Sequence, residues 1–278
     1  MQQPAPTHVL VVEDDPVSRD VVYQMLSHFG YQVSTVDGGQ AALASVRQVD
    51  YDLVFMDYRM IGMDGLETTR RLRAGEGGPA GRTVPIIALT AQAFAEDRDA
   101  CLAAGMNDFL TKPVVVDSLV SAILQWARRG GHMQAAEQMP SRAPSPAAVA
   151  AAPAVFDAAV LSALPMVADG SQPSYRDVVL KMFMQSVPPL LDTIRQAALG
   201  GDKSAAQMAA HTLKSSSAAV GALALSACAA DAEAHLRAGH QNMAHLPGLF
   251  EGEFHRLCHA LSLPLPRIGS SESAGQTC

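Results

Sequence analysis

The segment YDLVFMD, residues 51–57, constrains the fold of this chain more than any other stretch. Its central residues, Leu53 to Met56, are apolar without polar alternation, which is typical of a strand that is covered on both faces in a parallel sheet. The run ends at a carboxylate, Asp57, and a polar loop comes next. Because ligands of open α/β sheets bind beyond the carboxyl ends of strands, Asp57 stands where a reacting group is expected.

Residues 8–128 alternate strand and helix patterns five times around this segment. The alternation predicts a doubly wound α/β domain with a five-stranded parallel sheet. Strands are expected at 8–13, 31–36, 51–57, 84–90 and 107–112, and helices at 16–28, 38–49, 64–73, 94–104 and 115–128. Asp64 is the expected N-cap of the third helix, and the glycine-rich segment 74–82 is expected to be a loop.

A second domain is expected after a linker. Residues 129–154 are rich in Ala, Pro, Gly and Ser, which predicts a flexible connection. Residues 155–262 show helical patterns without strand signals and predict an all-α bundle of about four main helices. Pro188 and Pro189 are expected to kink or break its second helical segment. An N-terminal extension and a disordered tail are expected at 1–7 and 263–278.

Charge and composition disfavour several classes of protein. The 278 residues carry a formal net charge of −7, which argues against nucleic acid as a partner because such proteins usually have a basic face. No apolar run approaches the ~20 residues of a membrane span. The four cysteines are scattered without metal or redox spacing, which favours reduced thiols and a cytoplasmic location.

Five polar side chains are expected to meet at the carboxyl edge of the sheet. Strand one ends in Glu13 and Asp14, strand three in Asp57, strand four in Thr90 and strand five in Lys112. Crowded carboxylates raise the pKa of at least one of them, and a hard cation such as Mg²⁺ relieves this repulsion. A carboxylate can also attack phosphorus, and the developing charge then requires a metal, an ammonium and a hydroxyl donor. The edge therefore predicts a phosphoryl-transfer site.

Four segments, VLVVEDDP, MDYRMIGMDG, PIIALTA and FLTKP, resemble in content and order the strand-end motifs of response-regulator receiver domains. The resemblance covers residues 8–128 and implies a flavodoxin-like fold in which Asp57 is the phosphoacceptor. It also implies that Mg²⁺ is bound by Asp14, by Glu13 through water, and by the backbone carbonyl of Arg59.

The same resemblance assigns roles to residues on the last two strands. Thr90 and Lys112 would contact the phosphoryl group, and Thr90 with Phe109 would form the family's conformational switch. The Lys112–Pro113 peptide bond would be cis, since bonds before proline are where that isomer is accessible. Ile61 stands where many receivers have proline.

The segment HTLKSSS, residues 211–217, is a second candidate site. At about 100° per residue, Leu213 belongs to a core face of small residues, whereas His211 points to the opposite side. His211 is therefore expected to be exposed beside Lys214 on a surface with little bulk. An exposed imidazole is a usable phosphoryl carrier near neutral pH, and an adjacent ammonium would steady the phosphoryl charge.

This helix resembles the motif of histidine phosphotransfer (HPt) domains, which is close to HxLKGSS followed by GA. The resemblance covers roughly residues 155–262 and implies that His211 is phosphorylated, with Lys214 as its supporting cation. Receiver, linker and HPt domain, in that order, resemble the C-terminal part of tripartite hybrid sensor histidine kinases.

The two resemblances together imply a phosphorelay. A sensor histidine kinase would phosphorylate Asp57, and His211 would relay the group to or from the receiver aspartate of a response regulator. The chain shows no Gly-rich nucleotide loop, so it is expected to be a stand-alone relay protein or a detached part of a sensor.

Two other functions stay open. One is a binding module that sequesters a partner, with phosphorylation tuning the affinity. The other is an aspartate-nucleophile phosphatase, which is disfavoured because such enzymes need a second acid where Arg59 stands.

Overall fold

The computed structural model describes residues 6–91, 95–127, 153–238 and 242–264. Most of the predicted linker, the predicted tail from residue 265 and the first five residues lie outside this range. In the part of the chain that is described, no helix is both long and apolar enough to cross a membrane.

The first domain is a five-stranded parallel sheet with helices on both faces. Its strands are His8–Val12 (β1), Gln32–Val36 (β2), Leu53–Asp57 (β3), Ile86–Thr90 (β4) and Asp108–Thr111 (β5). Its helices are Pro16–His28 (α1), Gly39–Gln48 (α2), Gly65–Ala74 (α3), Gly78–Gly81 (α4), Ala95–Ala104 (α5) and Val116–Trp126 (α6). The strand order is β2-β1-β3-β4-β5, with every pair parallel, so the predicted doubly wound fold is confirmed.

Alternate side chains of β1 enter two separate cores. Val9 and Val11 pack in one core with α1 and α6, while Leu10 and Val12 pack in another with α2, α3 and α5. All five side chains of β3 are buried, as an apolar strand covered on both faces requires. Because both faces are covered, reactive side chains of this strand can meet a ligand at its carboxyl end, beside the loop after Asp57.

Of two predictions made around the third helix, the N-cap is confirmed and the loop that follows is not. Asp64 is the N-cap of α3, where its side chain accepts a hydrogen bond from the backbone N–H of Glu67. The expectation that 74–82 is only a loop is wrong, because the short helix α4 forms within it. Pro79 stands in the first turn of α4, a position where the missing N–H costs no helical hydrogen bond.

The second domain is helical throughout its described residues. Two short helices, Ala158–Ser162 (α7) and Pro165–Ala168 (α8), precede four long ones, Tyr175–Gly200 (α9), Lys203–Val220 (α10), Leu223–Arg237 (α11) and Leu246–Ala260 (α12). Each long helix packs against two of the others, in the cycle α9, α10, α11, α12. The predicted helical bundle with four main helices is therefore confirmed.

Of the kink or break predicted for the second helical segment, the break is wrong. Helix α9 runs through Pro188 and Pro189 without interruption. Phe183, Val187 and Leu191 lie on one face across this site and are almost completely buried. Burial of such side chains contributes roughly 1.5–3 kcal/mol each, so the three together offset a cost of ~3 kcal/mol for each of the two prolines.

The two domains share an apolar core that the sequence did not indicate. Val21 and Met25 of α1 belong to the same buried cluster as Leu164 and Met166 of the second domain. Helix α1 packs against α8, α9 and α10, so the second domain lies against the first along this helix.

We expect Gly221→Ala to lower the free energy of unfolding of the bundle by about 2 kcal/mol. Gly221 ends α10 with a φ of +83°, a left-handed conformation that costs a residue with Cβ roughly 1–2 kcal/mol. A Cβ there would also collide with the backbone carbonyl oxygen of Asp157. Urea unfolding of the full chain measures the change.

Gly252→Ala is the matched control for this substitution. Gly252 lies inside α12 with open space around it, so Ala should stabilise the helix by up to about 1 kcal/mol. A Gly221→Ala variant that is as stable as the unmodified chain would contradict the assigned role of this glycine.

Candidate functional site at the domain interface

Sheet register brings three acids together at the carboxyl edge. Val12 of β1 lies opposite Met56 of β3, so Glu13 and Asp14, which come directly after β1, lie beside Asp57 at the end of β3. One carboxylate oxygen from each of these acids lies within 4.8 Å of the other two. Glu13 and Asp57 are buried and Asp14 is half-buried. The predicted acidic cluster is therefore present in the fold.

The ammonium of Lys112 neutralises part of this cluster. Its Nζ lies 2.6 Å from Oε2 of Glu13 and 3.0 Å from Oδ2 of Asp57. Burial alone would lower the pKa of Lys112, but the charges of Asp57 and Glu13 outweigh burial and raise it. Thr90 pairs with Thr111 in the sheet, so Thr90 and the lysine directly after β5 lie at the same edge.

Two acids of the cluster, Glu13 and Asp14, have raised pKa values. Burial raises the pKa of Glu13 well above its usual range, and the charge of Asp57 raises it further against the pull of Lys112. Burial also raises the pKa of Asp14, whose Oδ2 accepts a hydrogen bond from the Ile61 N–H at 2.8 Å. Proline at this position could not donate that bond. Oxygen donors under such mutual repulsion fit a hard divalent cation.

The remaining predicted residues of the first domain lie around this edge. The backbone N–H of Arg59 is 3.4 Å from Oδ1 of Asp57, which places the Arg59 loop directly beside the acid. Phe109 is half-buried and packs against the core that contains α2 and α3. The Lys112–Pro113 bond is cis, as expected. The ligand role of the Arg59 carbonyl and the switch role of Phe109 stay predictions.

Helix α10 of the second domain lies across this edge. Near its N-terminal end, Ser204 and Gln207 line a cavity of about 270 Å³ together with Tyr58 and Arg59 from the loop after β3. These α10 residues lie one to two turns before His211 on the same helical face.

The C-terminal half of α10 covers the other side of the edge. Ser215 and Ala219 line a second cavity, of about 300 Å³, together with Glu13 and Lys112. These two residues lie four and eight positions after His211, again on its helical face. His211 is therefore centred on the face that α10 turns toward the carboxylate edge.

The prediction that His211 is exposed is wrong, because its side chain is buried and the residue is only 5% exposed. Helical periodicity assigned it correctly to the side opposite Leu213, which is buried in the bundle. The first domain covers that side. Nδ1 of His211 lies 3.1 Å from Oε1 of Glu233 on α11, and Nε2 is buried without a hydrogen-bond partner among the described residues.

Lys214 is not the free surface cation that the sequence suggested. It is buried, and its Nζ donates a hydrogen bond to Oε2 of Glu233. Arg237 donates to the other oxygen at 2.8 Å, and Arg59 of the first domain lies 3.5 Å from it. Glu233 was not predicted from the sequence, although it stands four residues before Arg237 in an alanine-rich helix, a spacing typical of an ion pair.

The charge state of Glu233 fixes the tautomer of His211. Burial acts to raise the pKa of Glu233, but its hydrogen bonds and charge interactions with His211 and Lys214 lower it to about 2. An ionised carboxylate only accepts hydrogen bonds, so Nδ1 of His211 carries the proton. In the neutral imidazole, Nε2 then keeps a lone pair that is available to an electrophile at the interface.

Stability is expected to depend on the ionisation of Glu233. Its folded-state pKa lies below the ordinary value of 4.5, so the stabilisation is present above pH 4.5 and disappears as the pH falls toward 2. Glu233→Gln should lower the free energy of unfolding by about 3 kcal/mol at pH 7, and the difference from the unmodified chain should shrink through that window. Urea unfolding at several pH values measures it.

Glu251→Gln provides the comparison for this prediction. Glu251 pairs with Arg195 at 2.6 Å, but both side chains are about one-third exposed, so the loss should stay below about 1 kcal/mol. A Glu233→Gln deficit that does not change between pH 7 and pH 3 would contradict the assignment.

Two family models match the chain, one in each domain. The response regulator receiver domain matches residues 9–124, and the Hpt domain matches residues 178–263.

Similar curated proteins are sensors of much greater length. Sensor protein GacS of Pseudomonas syringae pv. syringae is 42% identical over 118 residues, which cover 42% of this chain and 13% of GacS. Virulence sensor protein BvgS of Bordetella bronchiseptica is 39% identical over 159 residues, which cover 56% of this chain and 12% of BvgS. The chain thus spans about an eighth of the length of these relatives.

Solved structures resemble the first domain. The receiver domain of sensor histidine kinase PA1611 from Pseudomonas aeruginosa, described with a magnesium ion in its active-site cleft, is 43% identical, with a TM-score of 0.42, and covers 45% of this chain and 99% of its own. A co-crystal structure of Ypd1 with the receiver domain of Ssk1 from Saccharomyces cerevisiae matches at 26% identity, with a TM-score of 0.42, covering 48% of this chain and 96% of the matched one. By the two family models, this chain carries a response regulator receiver domain at residues 9–124, followed by an Hpt domain at residues 178–263.

Proposed function

We propose that this chain is a phosphorelay module of two-component signalling, in which a phosphoryl group passes between Asp57 and His211 of the same molecule. The observations that carry the proposal are the burial of His211 and its position on the α10 face whose neighbouring residues line cavities with the carboxylate edge of the receiver. Its unpartnered Nε2 lies on the α10 face that also contacts the Glu13 and Lys112 side of that edge. Nucleophile and acceptor are thus held for transfer without a second molecule.

In the first step, Asp57 takes the phosphoryl group from a phosphohistidine of a sensor histidine kinase. A carboxylate oxygen of Asp57 attacks phosphorus, the P–N bond breaks, and the electron pair of that bond returns to the kinase imidazole. Lys112, 3.0 Å from Asp57, supplies positive charge to the phosphoryl oxygens, and the Thr90 hydroxyl supplies a hydrogen-bond donor at the same edge.

In the second step, the lone pair of His211 Nε2 attacks the phosphorus of the aspartyl phosphate. The P–O bond breaks, and its electrons restore the Asp57 carboxylate. Positive charge that develops on the imidazole is balanced by Glu233, which keeps its hydrogen bond to Nδ1. Lys214 and Arg237 hold Glu233 in place, so Lys214 supports the histidine through this carboxylate. The reverse sequence uses the same groups.

Glu13, Asp14, Asp57 and the Arg59 backbone carbonyl are the groups we propose to hold Mg²⁺. A bound Mg²⁺ would neutralise charge on the transferring phosphoryl oxygens. The crowding of the three carboxylates and the raised pKa values of Glu13 and Asp14 support this donor set. We place Thr90 and Phe109 in the switch that reports phosphorylation to a partner.

The partners we propose are a sensor histidine kinase upstream and the receiver domain of a response regulator downstream. The sensors among the curated relatives support this assignment. Phosphorylation of this kind draws on cytoplasmic ATP, so we place the chain in the cytoplasm, either as a separate relay protein or as part of a larger sensor.

Transfer of radiolabel tests the route through both residues. The full chain is incubated with a phosphorylated histidine kinase, and the label is mapped by mass spectrometry. We expect label on Asp57 and His211 in the unmodified chain, on Asp57 alone in His211→Gln, and on neither in Asp57→Asn.

Two results would overturn this route. Label that reaches His211 in Asp57→Asn as fast as in the unmodified chain would remove Asp57 from the path. A chain that binds and releases its partner according to Asp57 phosphorylation, with no label on His211, would favour the sequestration module instead. Continuous turnover of small phosphate esters would favour the phosphatase.

Titration with Mg²⁺ tests the proposed metal site separately. Asp14→Asn removes one anionic ligand and should weaken Mg²⁺ binding at least about tenfold in isothermal calorimetry. The control is Asp37→Asn, which removes an exposed acid after the neighbouring strand β2 and should bind as the unmodified chain does. Equal affinities of the two variants would count against the site.

A further inference from the structure

Helix α1 and the start of the HPt domain form an interface beside the phosphoryl path. Val21 and Met25 of α1 share a buried cluster with Leu164 and Met166 of the HPt domain. Apolar burial of this kind holds the surfaces together but discriminates poorly among partners, because any apolar side chain of similar size would contribute about as much.

A partly buried hydrogen bond crosses this interface. The hydroxyl of Tyr175, the first residue of α9, lies 2.6 Å from Oδ2 of Asp20 on α1. Tyr175 is only 5% exposed. Burial and then the nearby Asp20 raise the pKa of the phenol, so it stays a donor. The bond joins residues 155 positions apart in the chain, one in each domain.

The cost of leaving this hydroxyl unpaired makes the contact selective. A receiver without an acceptor at the position of Asp20 would bury the phenol with no partner, whereas a receiver with one would not. Loss of a buried hydrogen bond to a charged partner typically changes an equilibrium by about tenfold or more. The Tyr175–Asp20 pair therefore favours receivers that carry an acceptor at the Asp20 position over receivers that lack one.

A contact between His28 and Asp169 at the far end of α1 adds to the specificity of this interface. Nε2 of His28, the last residue of α1, lies 2.9 Å from Oδ2 of Asp169, just after α8. Eight residues separate His28 from Asp20, which corresponds to about 12 Å along the helix axis. The side chains of His28 and Asp169 are both partly exposed, so this contact is weaker than the hydrogen bond between Tyr175 and Asp20.

We infer that Tyr175 and Asp20, supported by His28 and Asp169, form a pairing determinant that docks this HPt domain on its own receiver. The surface around Tyr175 and Asp169 fits a receiver whose first helix carries a carboxylate at the Asp20 position and an imidazole or other cation eight residues later. This inference deepens the proposed function and rests on it for its purpose, since the docked state is the one that brings His211 to Asp57.

Chemical modification of His211 tests the docked state without any phosphoryl transfer. Diethyl pyrocarbonate reacts with accessible imidazoles, and peptide mass spectrometry gives the rate at each histidine of the full chain. His255, which is exposed on α12, is the internal reference. We expect His211 to react at least about tenfold more slowly than His255, because docking buries it.

The variants are chosen as a double-mutant cycle. Tyr175→Phe removes one hydroxyl and keeps the ring, and Asp20→Ala removes the acceptor. Each should speed the modification of His211 by about tenfold or more, while both together should speed it no more than one alone. Tyr23→Phe makes the same chemical change on the partly exposed side of α1 and should leave the rate unchanged.

Three results would overturn the inference. The first is a Tyr175→Phe variant in which His211 is modified as slowly as in the unmodified chain. The second is a double variant in which the rate increases of the two single variants multiply. The third is an unmodified chain in which His211 is modified as fast as His255. Failure of the proposed relay would be seen in a different experiment, the radiolabel transfer, as an absence of label on His211 in the unmodified chain. If His211 is modified slowly, Tyr175→Phe speeds this modification, and the unmodified chain carries no label on His211, then the docking inference would stand and the proposed transfer would be rejected.

Discussion

The parallel register of β1 and β3 forces like charges together at one edge of the receiver, and the other groups of the site compensate for their repulsion. Glu13 and Asp57 are almost completely buried side by side, where two carboxylates repel each other strongly and have lost most of their hydration. Lys112 bridges both of them and is itself buried, so no member of the group is stable there without the others. This mutual dependence also explains why the edge suits a reaction that brings in negative charge only together with a cation.

The HPt domain contains a second buried carboxylate that is balanced in a similar way. Glu233 is 1% exposed and is held by Lys214, Arg237 and the imidazole of His211, with Arg59 of the receiver close by. Its ionised state directs the proton of the imidazole to Nδ1 and leaves Nε2 unprotonated in the neutral ring. Two charge clusters, each marginal without its own lysine, therefore lie on either side of one interface, which Arg59 of the receiver crosses to lie 3.5 Å from Glu233.

Much of the receiver could be predicted from sequence because short segments of the chain specify its strands and the residues at their ends. Apolar runs that end in acids, a hydroxyl or a lysine mark the strands and the polar groups at their carboxyl ends, and parallel strands put those ends at one edge. Less of the helical bundle could be predicted from sequence. Helix α9 continues through Pro188 and Pro189 because buried side chains on both sides outweigh the lost hydrogen bonds, and that balance depends on neighbouring helices. Glu233 was missed because nothing local distinguishes a buried acid from an exposed one.

The sequence by itself determined the strands and main helices of the receiver, the edge at which Asp57 stands and the face of α10 on which His211 lies. These depend on periods of two and 3.6 residues and on turn chemistry, which are properties of short segments. Only the tertiary structure decided whether that face meets water or protein. Docking depends on contacts between residues more than a hundred positions apart, such as Asp20 with Tyr175, and on the shape of two separately folded surfaces. Periodicity within one helix carries no information about which surface will cover it, and so the imidazole that it assigned to solvent is buried against the receiver.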